Sequence, residues 1–199
     1  MHIPKILIYS RLFISAIIIT LAYYQPPLYP YIIVSLLTIG LLTDIFDGII
    51  ARKLNISTTS LRRLDSTIDQ IFFVCTAIAS YMLCPNFYKA NALYIGILIG
   101  AEILIYLVSY LKFQKEVATH SLGAKFWTLI LFATLIEIFL TCNSTVLFQL
   151  CIWIGIITRF EIVLIILVLK NWTNDVPTLY HAIQLRKGKS IKRNKLFNG

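Results

Sequence analysis

Long apolar stretches alternate with short polar ones along all 199 residues of the chain. A transmembrane helix needs about 20 mostly apolar residues, and six stretches come near or reach that length. In chain order they cover 6–24, 31–43, about 69–83, 93–111, 126–141 and 146–169. Segments that contain proline close the first and third stretches. The pattern therefore predicts an all-α integral membrane protein, a bundle of six transmembrane helices.

Composition excludes the other broad classes of protein. Apolar residues make up 58% of the chain and charged residues only 14%, against about 25% charged in a soluble domain. A soluble domain of this size could not bury so much apolar surface. No internal repeat or second domain is evident. We expect one membrane domain over residues 1–199, with a basic cytoplasmic tail at about 171–199.

The excess of positive charge indicates the orientation of the helices. The net charge is +9, and sixteen of the eighteen Lys and Arg residues lie on one side of the six predicted spans. Lys89 lies on the other side, and Arg159 lies within a span. The positive-inside rule predicts that both termini are cytoplasmic, as in a bacterial inner membrane or an equivalent plasma membrane. The basic tail could be read as a nucleic-acid site, but beside a membrane we expect it to contact anionic lipid.

The four cysteines show no spacing typical of a metal or redox site. Cys84 and Cys142 fall near the outer ends of their spans and could meet, although nothing in the sequence argues that they do. We expect Cys75, Cys84, Cys142 and Cys151 to be small packing residues.

Four of the nine acidic residues lie within 26 positions. Asp44 and Asp47 are three residues apart at the cytoplasmic end of the second span, and Asp65 and Asp69 are four apart at the start of the third. Each pair shares one helical face, and the short connection predicts an antiparallel hairpin with both pairs at one depth. Solvated charges at helix ends are the plainer alternative. Because four like charges repel, we expect a cation between them. Oxygen ligands favour Mg²⁺, Mn²⁺ or Ca²⁺ over softer metals such as Zn²⁺ or Cu²⁺.

The residues beside the first pair suggest a ligand. Gly48 and Ala51 give a small face against which a flat group can lie, and Arg52 carries a planar fork suited to phosphate oxygens. A metal, a small face and an arginine together indicate a nucleotide with a diphosphate group, held at the membrane surface.

This string of residues resembles the motif of the CDP-alcohol phosphotransferases (CDP-alcohol phosphatidyltransferases), D-x2-D-G-x2-A-R-x8-G-x3-D-x3-D. Seven of the eight fixed positions match at the same spacing, and Leu61 stands where the family has Gly. The matching positions are Asp44, Asp47, Gly48, Ala51, Arg52, Asp65 and Asp69. The motif covers 26 residues, and the six-span plan and the chain length are also similar to the family's.

The resemblance implies a phospholipid synthase that transfers a phosphoalcohol group from a CDP-alcohol, commonly CDP-diacylglycerol, to a hydroxyl acceptor and releases CMP. It implies Mg²⁺ or Mn²⁺ as cofactor and leaves a homodimer open, and the orientation predicted from Lys and Arg places the active site on the cytoplasmic side. The implied metal ligands are Asp44, Asp47, Asp65 and Asp69. Asp69 would also be the catalytic base. The implied CDP-binding residues are Asp44, Gly48, Ala51 and Arg52.

Two further stretches are similar to the phosphatidylglycerophosphate synthase branch of the family. Residues 4–11 follow its P-N-x-L-T-x-x-R opening, with Lys5 and Ile8 in place of Asn and Thr, and residues 123–128 loosely follow a G-K-x-K-T stretch.

A basic residue near the cytoplasmic mouth could bind the phosphate of an acceptor such as glycerol 3-phosphate or an inositol compound. The candidates are Lys125, Arg159, Arg62, Arg63 and Arg11. For the loop residues, contact with lipid is the alternative. Arg159 could instead pair with Glu102 or Glu161.

Two other functions remain open at this point. A divalent-cation transporter or ion-binding membrane protein could use the same carboxylates, although transport sites usually lie nearer the bilayer midplane. A catalytically inactive family member is the other alternative, because Leu61 replaces the family's Gly.

Overall fold

The computed structural model describes residues 3–54, 58–115, 121–173 and 176–189. The described part of the chain folds into α-helices. In chain order they are α1 (Ile3–Tyr24), α2 (Tyr29–Lys53), α3 (Thr59–Leu83), α4 (Pro85–Ala90), α5 (Ala92–Phe113), α6 (Leu122–Thr141), α7 (Val146–Val168) and α8 (Leu179–Arg186). Helices α1, α2, α3, α5, α6 and α7 are long and apolar enough to cross a membrane. The predicted all-α fold with six spans is confirmed.

Helices α2 and α3 extend well beyond their apolar stretches. Helix α2 continues about ten residues past Thr43, and α3 begins about ten residues before Asp69. The side chain of Thr58 accepts a hydrogen bond from the backbone N–H of Leu61 and so caps the start of α3; such a cap satisfies an N–H that has no partner within the helix. Both carboxylate pairs therefore stand on regular helix.

The chain divides into two compact units, and the first contains Met1–Phe87 and Leu135–Asn143. Within this unit α1 packs against both α2 and α3. Its apolar core includes Ile8 and Ile18 of α1, Leu37 of α2 and Phe72 of α3, all of them buried. Helix α1 is therefore the central element of the unit that carries the acidic residues.

A disulfide joins Cys84, directly after α3, to Cys142, directly after α6. The two Cα atoms are 5.2 Å apart, a separation typical of disulfides. The expectation that all four cysteines are packing residues is therefore wrong for this pair. Two helices end side by side here, and their packing brings together residues 58 positions apart. Cys75 and Cys151 are free thiols.

The second unit contains Tyr88–Thr134 and Ser144–Gly199. In it α7 packs against α5 and α8. The side-chain amine of Lys112 donates to the carbonyls of Ile166 and Leu167, at 3.0 and 2.6 Å. These two carbonyls belong to the last turn of α7, which has no further helical N–H to bind. Lys112 thus supplies hydrogen bonds to two carbonyls at the C-terminal end of α7.

The short helices α4 and α8 were not among the elements predicted from the sequence. Helix α8 contributes the fully buried Ala182 to a small apolar cluster with Ile165, Leu169 and Val176. It lies within the predicted basic tail, of which residues 174, 175 and 190–199 are outside the described residues.

Large apolar side chains cover much of the surface of the long helices. Phe13 is 70% exposed, Leu111 78% and Trp153 63%. Exposed apolar surface on this scale is stable in lipid and not in water. Together with the six spans, it identifies an integral membrane protein.

Candidate functional site

The four aspartates converge in the first unit. Asp44 and Asp47 lie in the last turns of α2, and Asp65 and Asp69 in the first turns of α3. Because both helices pack on α1, the two carboxylate pairs face the same part of that helix. One carboxylate oxygen from each of Asp44, Asp47 and Asp65 lies within 4.8 Å of the other two. The fold therefore brings the two carboxylate pairs together, as predicted.

Arg11 of α1 lies at the centre of this group. Its Nη1 donates to Asp44 Oδ1 at 2.9 Å, and its Nη2 donates to Asp47 Oδ2 and to Asp65 Oδ1, both at 2.5 Å. Nη1 also contacts Asp69 Oδ1. We call Arg11 and the four aspartates the carboxylate cluster. The sequence named Arg11 as a candidate for binding acceptor phosphate but did not place it among the aspartates.

Burial within the carboxylate cluster is uneven. The side chains of Arg11 and Asp47 are 1% and 3% exposed, whereas those of Asp44, Asp65 and Asp69 are 37%, 30% and 29% exposed. The cluster thus has a buried floor and an open side that a ligand in water can reach. A charge on the floor is tolerated because Arg11 and Asp47 pair with each other.

The donor set fits a hard divalent cation. Every side chain except Arg11 offers carboxylate oxygen, the ligand type that Mg²⁺ and Mn²⁺ prefer. Oxygens that ligate Mg²⁺ at about 2.1 Å are at most about 4.2 Å apart. The three oxygens, within 4.8 Å of one another, would need to move closer together to bind one ion. A metal site is therefore compatible with these residues.

The small residues of the motif continue the same face of α2. Asp44, Gly48 and Ala51 are four and three residues apart, so they line one side of the helix. Ala51 is 6% exposed and Gly48 is half-buried. The backbone of Arg52 is helical, and its side chain lies outside the described part of the structure. Beside Asp44, α2 thus presents a strip with little side-chain bulk.

Leu61 lies on the acidic face of α3. It precedes Asp65 by four residues and Asp69 by eight, so the three side chains are stacked along one side of the helix. Leu61 is half-buried in the first turn of α3. The one departure from the family motif is therefore adjacent to the carboxylate cluster in space as well as in sequence.

Arg159 belongs to the second unit, where it forms an ion pair. Its Nε donates to Glu102 Oε2 at 2.9 Å, and its guanidinium carbon lies 3.5 Å from the ring centroid of Trp127. The indole N–H of Trp127 donates in turn to the carbonyl of Cys151 at 2.8 Å. Of the pairings considered from the sequence, the one with Glu102 is formed. It explains how a charged side chain that is 9% exposed is accommodated within α7.

The remaining acceptor candidates lie near helix starts. Arg62 and Arg63 are in the first turns of α3, half-buried and exposed respectively, and Lys125 is exposed in the first turn of α6. None of the three belongs to the carboxylate cluster as defined above.

The fold and the cluster define a class: a polytopic membrane protein with a carboxylate site suited to a divalent cation. The family model for CDP-alcohol phosphatidyltransferases matches residues 1–175. The chain therefore belongs to the CDP-alcohol phosphatidyltransferase family, whose members depend on divalent metal. It is a transferase of phospholipid biosynthesis, as the motif predicted, and this supports the transferase prediction over the cation-transporter alternative.

One curated relative is the CDP-diacylglycerol--glycerol-3-phosphate 3-phosphatidyltransferase of Aquifex aeolicus (strain VF5). It is 28% identical to this chain over 176 residues, which is 87% of this chain and 93% of the relative. No solved structure matches the chain.

Proposed function

We propose that the protein transfers a phosphatidyl group from CDP-diacylglycerol to the hydroxyl of glycerol 3-phosphate and releases CMP. The observation that carries this proposal is the carboxylate cluster, whose four aspartates come from α2 and α3 at the spacing of the family motif. The relative from Aquifex aeolicus supports the choice of both substrates. An inositol compound is a second acceptor with the same chemistry, a hydroxyl attached to a polar head.

We propose that Asp44, Asp47, Asp65 and Asp69 hold Mg²⁺ or Mn²⁺. A bound divalent ion would neutralise the diphosphate and the charge that develops on departing CMP. The low bulk of Gly48 and Ala51 would let the CDP moiety lie along α2, and Arg52 would donate to its phosphate oxygens. Lys125, Arg159, Arg62, Arg63 and Arg11 remain the candidates for the acceptor phosphate.

Asp69 is our candidate for the general base. Its carboxylate would take the proton of the acceptor hydroxyl as that oxygen attacks the β-phosphorus of the CDP-alcohol. A new phosphorus–oxygen bond forms to the acceptor while the bond to CMP breaks. The electron pair of the broken bond leaves with CMP. Asp69 is 29% exposed, which is compatible with access by a water-soluble acceptor.

We further propose that the active site faces the cytoplasm. Along α3, Asp69 and Cys84 are fifteen residues apart, about 22 Å of helix, so the acids and the disulfide lie near opposite ends of one span. Disulfides persist in oxidising compartments and not in the cytosol. The distribution of Lys and Arg favours the same orientation. The single-domain organisation, the lipid contacts of the tail and a homodimer remain predictions.

The experiment is CMP release by the purified protein supplied with CDP-diacylglycerol, Mg²⁺ and one acceptor at a time. The acceptors are glycerol 3-phosphate, inositol phosphate, inositol, serine and choline. We expect glycerol 3-phosphate to give the fastest release, and Asp69→Asn to lower kcat by about 10²–10⁴-fold, the usual contribution of a general base.

Glu137→Gln is the matched control for that substitution. It also replaces a carboxylate by an amide. Glu137 lies near the C-terminal end of α6, next to the disulfide at Cys142. We expect the control to keep wild-type activity. Wild-type protein that releases CMP with none of the acceptors would contradict the proposed function.

A further inference from the structure

The contacts between Arg11 and the four aspartates are the feature of the site that a role in binding the acceptor phosphate does not explain. The Arg11 guanidinium is buried and contacts the carboxylates of Asp44, Asp47, Asp65 and Asp69 through its two terminal nitrogens. Asp44 and Asp47 belong to α2, and Asp65 and Asp69 belong to α3. Arg11 therefore supplies the positive charge that holds α2 and α3 together at this point.

The guanidinium and a metal ion would need the same space. Nη2 lies 2.5 Å from Asp47 Oδ2 and 2.5 Å from Asp65 Oδ1, and Nη1 lies 2.9 Å from Asp44 Oδ1. A divalent ion bound by these three oxygens would lie about 2.1 Å from each of them. An ion bound by these oxygens from the side that Arg11 occupies would overlap the terminal nitrogens of Arg11. Occupation by one therefore excludes the other.

One atom of Arg11 is also left unsatisfied. Its Nε is buried and has no hydrogen-bond partner among the described residues. A buried N–H without an acceptor costs free energy, so the four carboxylates do not meet all the requirements of the guanidinium. An arginine with an unmet donor is easier to displace than one whose five N–H groups are all bound.

We propose that Arg11 is a built-in counterion, which occupies the site in the metal-free protein and leaves the carboxylates when the divalent ion binds. This inference rests on the proposed metal site. It assigns to Arg11 a positioning role: it keeps two acidic helix ends together before the metal arrives. Displacing Arg11 costs free energy, and this cost weakens metal binding. An Arg11 side chain that occupies the site about nine-tenths of the time raises the apparent Kd for the metal about tenfold.

The test measures Mn²⁺ binding to purified, metal-free protein by the loss of the electron paramagnetic resonance signal of free Mn²⁺. Arg11→Lys keeps the positive charge, but a single ammonium cannot contact four carboxylates through two separate nitrogens. Arg11→Gln removes the charge and serves as a second variant if the first folds poorly. Lys5→Gln is the matched control, because Lys5 is an exposed cation on the same helix.

We expect both Arg11 variants to bind Mn²⁺ about tenfold more tightly than wild type, and Lys5→Gln to bind within about twofold of it. We also expect the Arg11 variants to melt at lower temperature than wild type without metal, and this difference to shrink in saturating Mn²⁺. The second readout reports on the metal-free state and does not depend on activity.

Equal Mn²⁺ affinities in wild type and both Arg11 variants would overturn the inference while leaving the metal site intact. A lower Kd for Mn²⁺ in Arg11→Gln alone, with Arg11→Lys at the wild-type value, would also overturn it. The positive charge of residue 11, and not its occupation of the site, would then be the cause of the weaker binding in wild type. Absence of Mn²⁺ binding in every protein would contradict the proposed metal site and this inference with it.

Discussion

At the scale of single residues, the carboxylate cluster is a balance between repulsion and bridging cations. Two like charges about 4 Å apart interact by about 4 kcal/mol at the effective dielectric constant of a protein surface. Arg11 contacts all four carboxylates, but it brings one positive charge to four negative ones. The cluster is thus stable enough to form and still attractive to a divalent ion.

Leu61 gives the first prediction at this scale. Its side chain stands one turn from Asp65 on the same face of α3, where the family motif has Gly. Leu61→Gly should therefore lower the KM for CDP-diacylglycerol about two- to tenfold, corresponding to roughly 0.4–1.4 kcal/mol. It should also cost about 0.5–1 kcal/mol of stability, because Gly is a poor helix former. Steady-state kinetics and thermal melting measure the two effects.

Ser60→Gly is the control for Leu61→Gly. Ser60 is exposed in the same turn of α3 but lies off the acidic face. It should show the loss of stability without the change in KM. An unchanged KM in Leu61→Gly would mean that the Leu side chain does not restrict the site.

The residue scale is also where the sequence was least informative. The four aspartates were predicted because two spacings, three and four residues, each define one helical face. Arg11 lies 33 positions before Asp44, and only the packing of α1 between its two neighbours brings it there. The opening motif over residues 4–11 ends at Arg11, but it does not indicate which residues the Arg11 side chain contacts.

At the scale of the helices, apolar length was a reliable guide. The six predicted stretches each correspond to one long helix, because a backbone in lipid must satisfy its hydrogen bonds internally. The ends of α2 and α3 were underestimated, since charged residues interrupt an apolar stretch without interrupting a helix. Helix α4 has six residues and α8 has eight, and both are too short to produce a clear periodic pattern.

Gly40 carries the prediction at this scale. A Cβ at this position of α2 would lie 2.4 Å from Cζ of Phe72 on α3. Phe72 is 2% exposed, so its ring has little room to move. Gly40→Ala should destabilise the protein by about 1–3 kcal/mol, as overpacking of a core usually does. Thermal melting in detergent measures the loss.

Gly96→Ala is the matched control for Gly40→Ala. A Cβ at Gly96 of α5 would meet nothing within 4 Å, and Ala is the better helix former by about 0.5–1 kcal/mol. The control should melt at or slightly above the wild-type temperature. Equal melting temperatures for the two variants would show that α2 and α3 are not in close contact at Gly40.

At the scale of the whole molecule, charge and disulfide argue for the same orientation by independent routes. Sixteen of eighteen Lys and Arg residues lie on the side of the carboxylate cluster by the sequence count. The disulfide joins the C-terminal ends of α3 and α6, and along α3 this is the end away from the aspartates. The sequence placed Cys84 and Cys142 near outer span ends but could not pair them, because the pairing depends on how the ends of α3 and α6 pack.

The disulfide gives a prediction about topology. A membrane-impermeant reductant applied to intact cells should reduce the Cys84–Cys142 bond, and a maleimide that does not cross the membrane should then label Cys142, which is exposed. Labelling is read by the mass shift of the protein. Cys75→Ala should not change the result, because Cys75 is a free thiol within α3. Labelling only after the cells are broken open would contradict the proposed orientation.

The most direct test of the central claim, a metal-dependent transferase site at the carboxylate cluster, is CMP release from CDP-diacylglycerol and glycerol 3-phosphate as Mg²⁺ is returned to metal-stripped protein. Wild type should show no release without metal and saturable release with it. Asp47→Asn, which alters the buried floor of the cluster, should need far more Mg²⁺ or remain inactive. Release at the full rate without divalent metal, or an unchanged Mg²⁺ dependence in Asp47→Asn, would contradict the account.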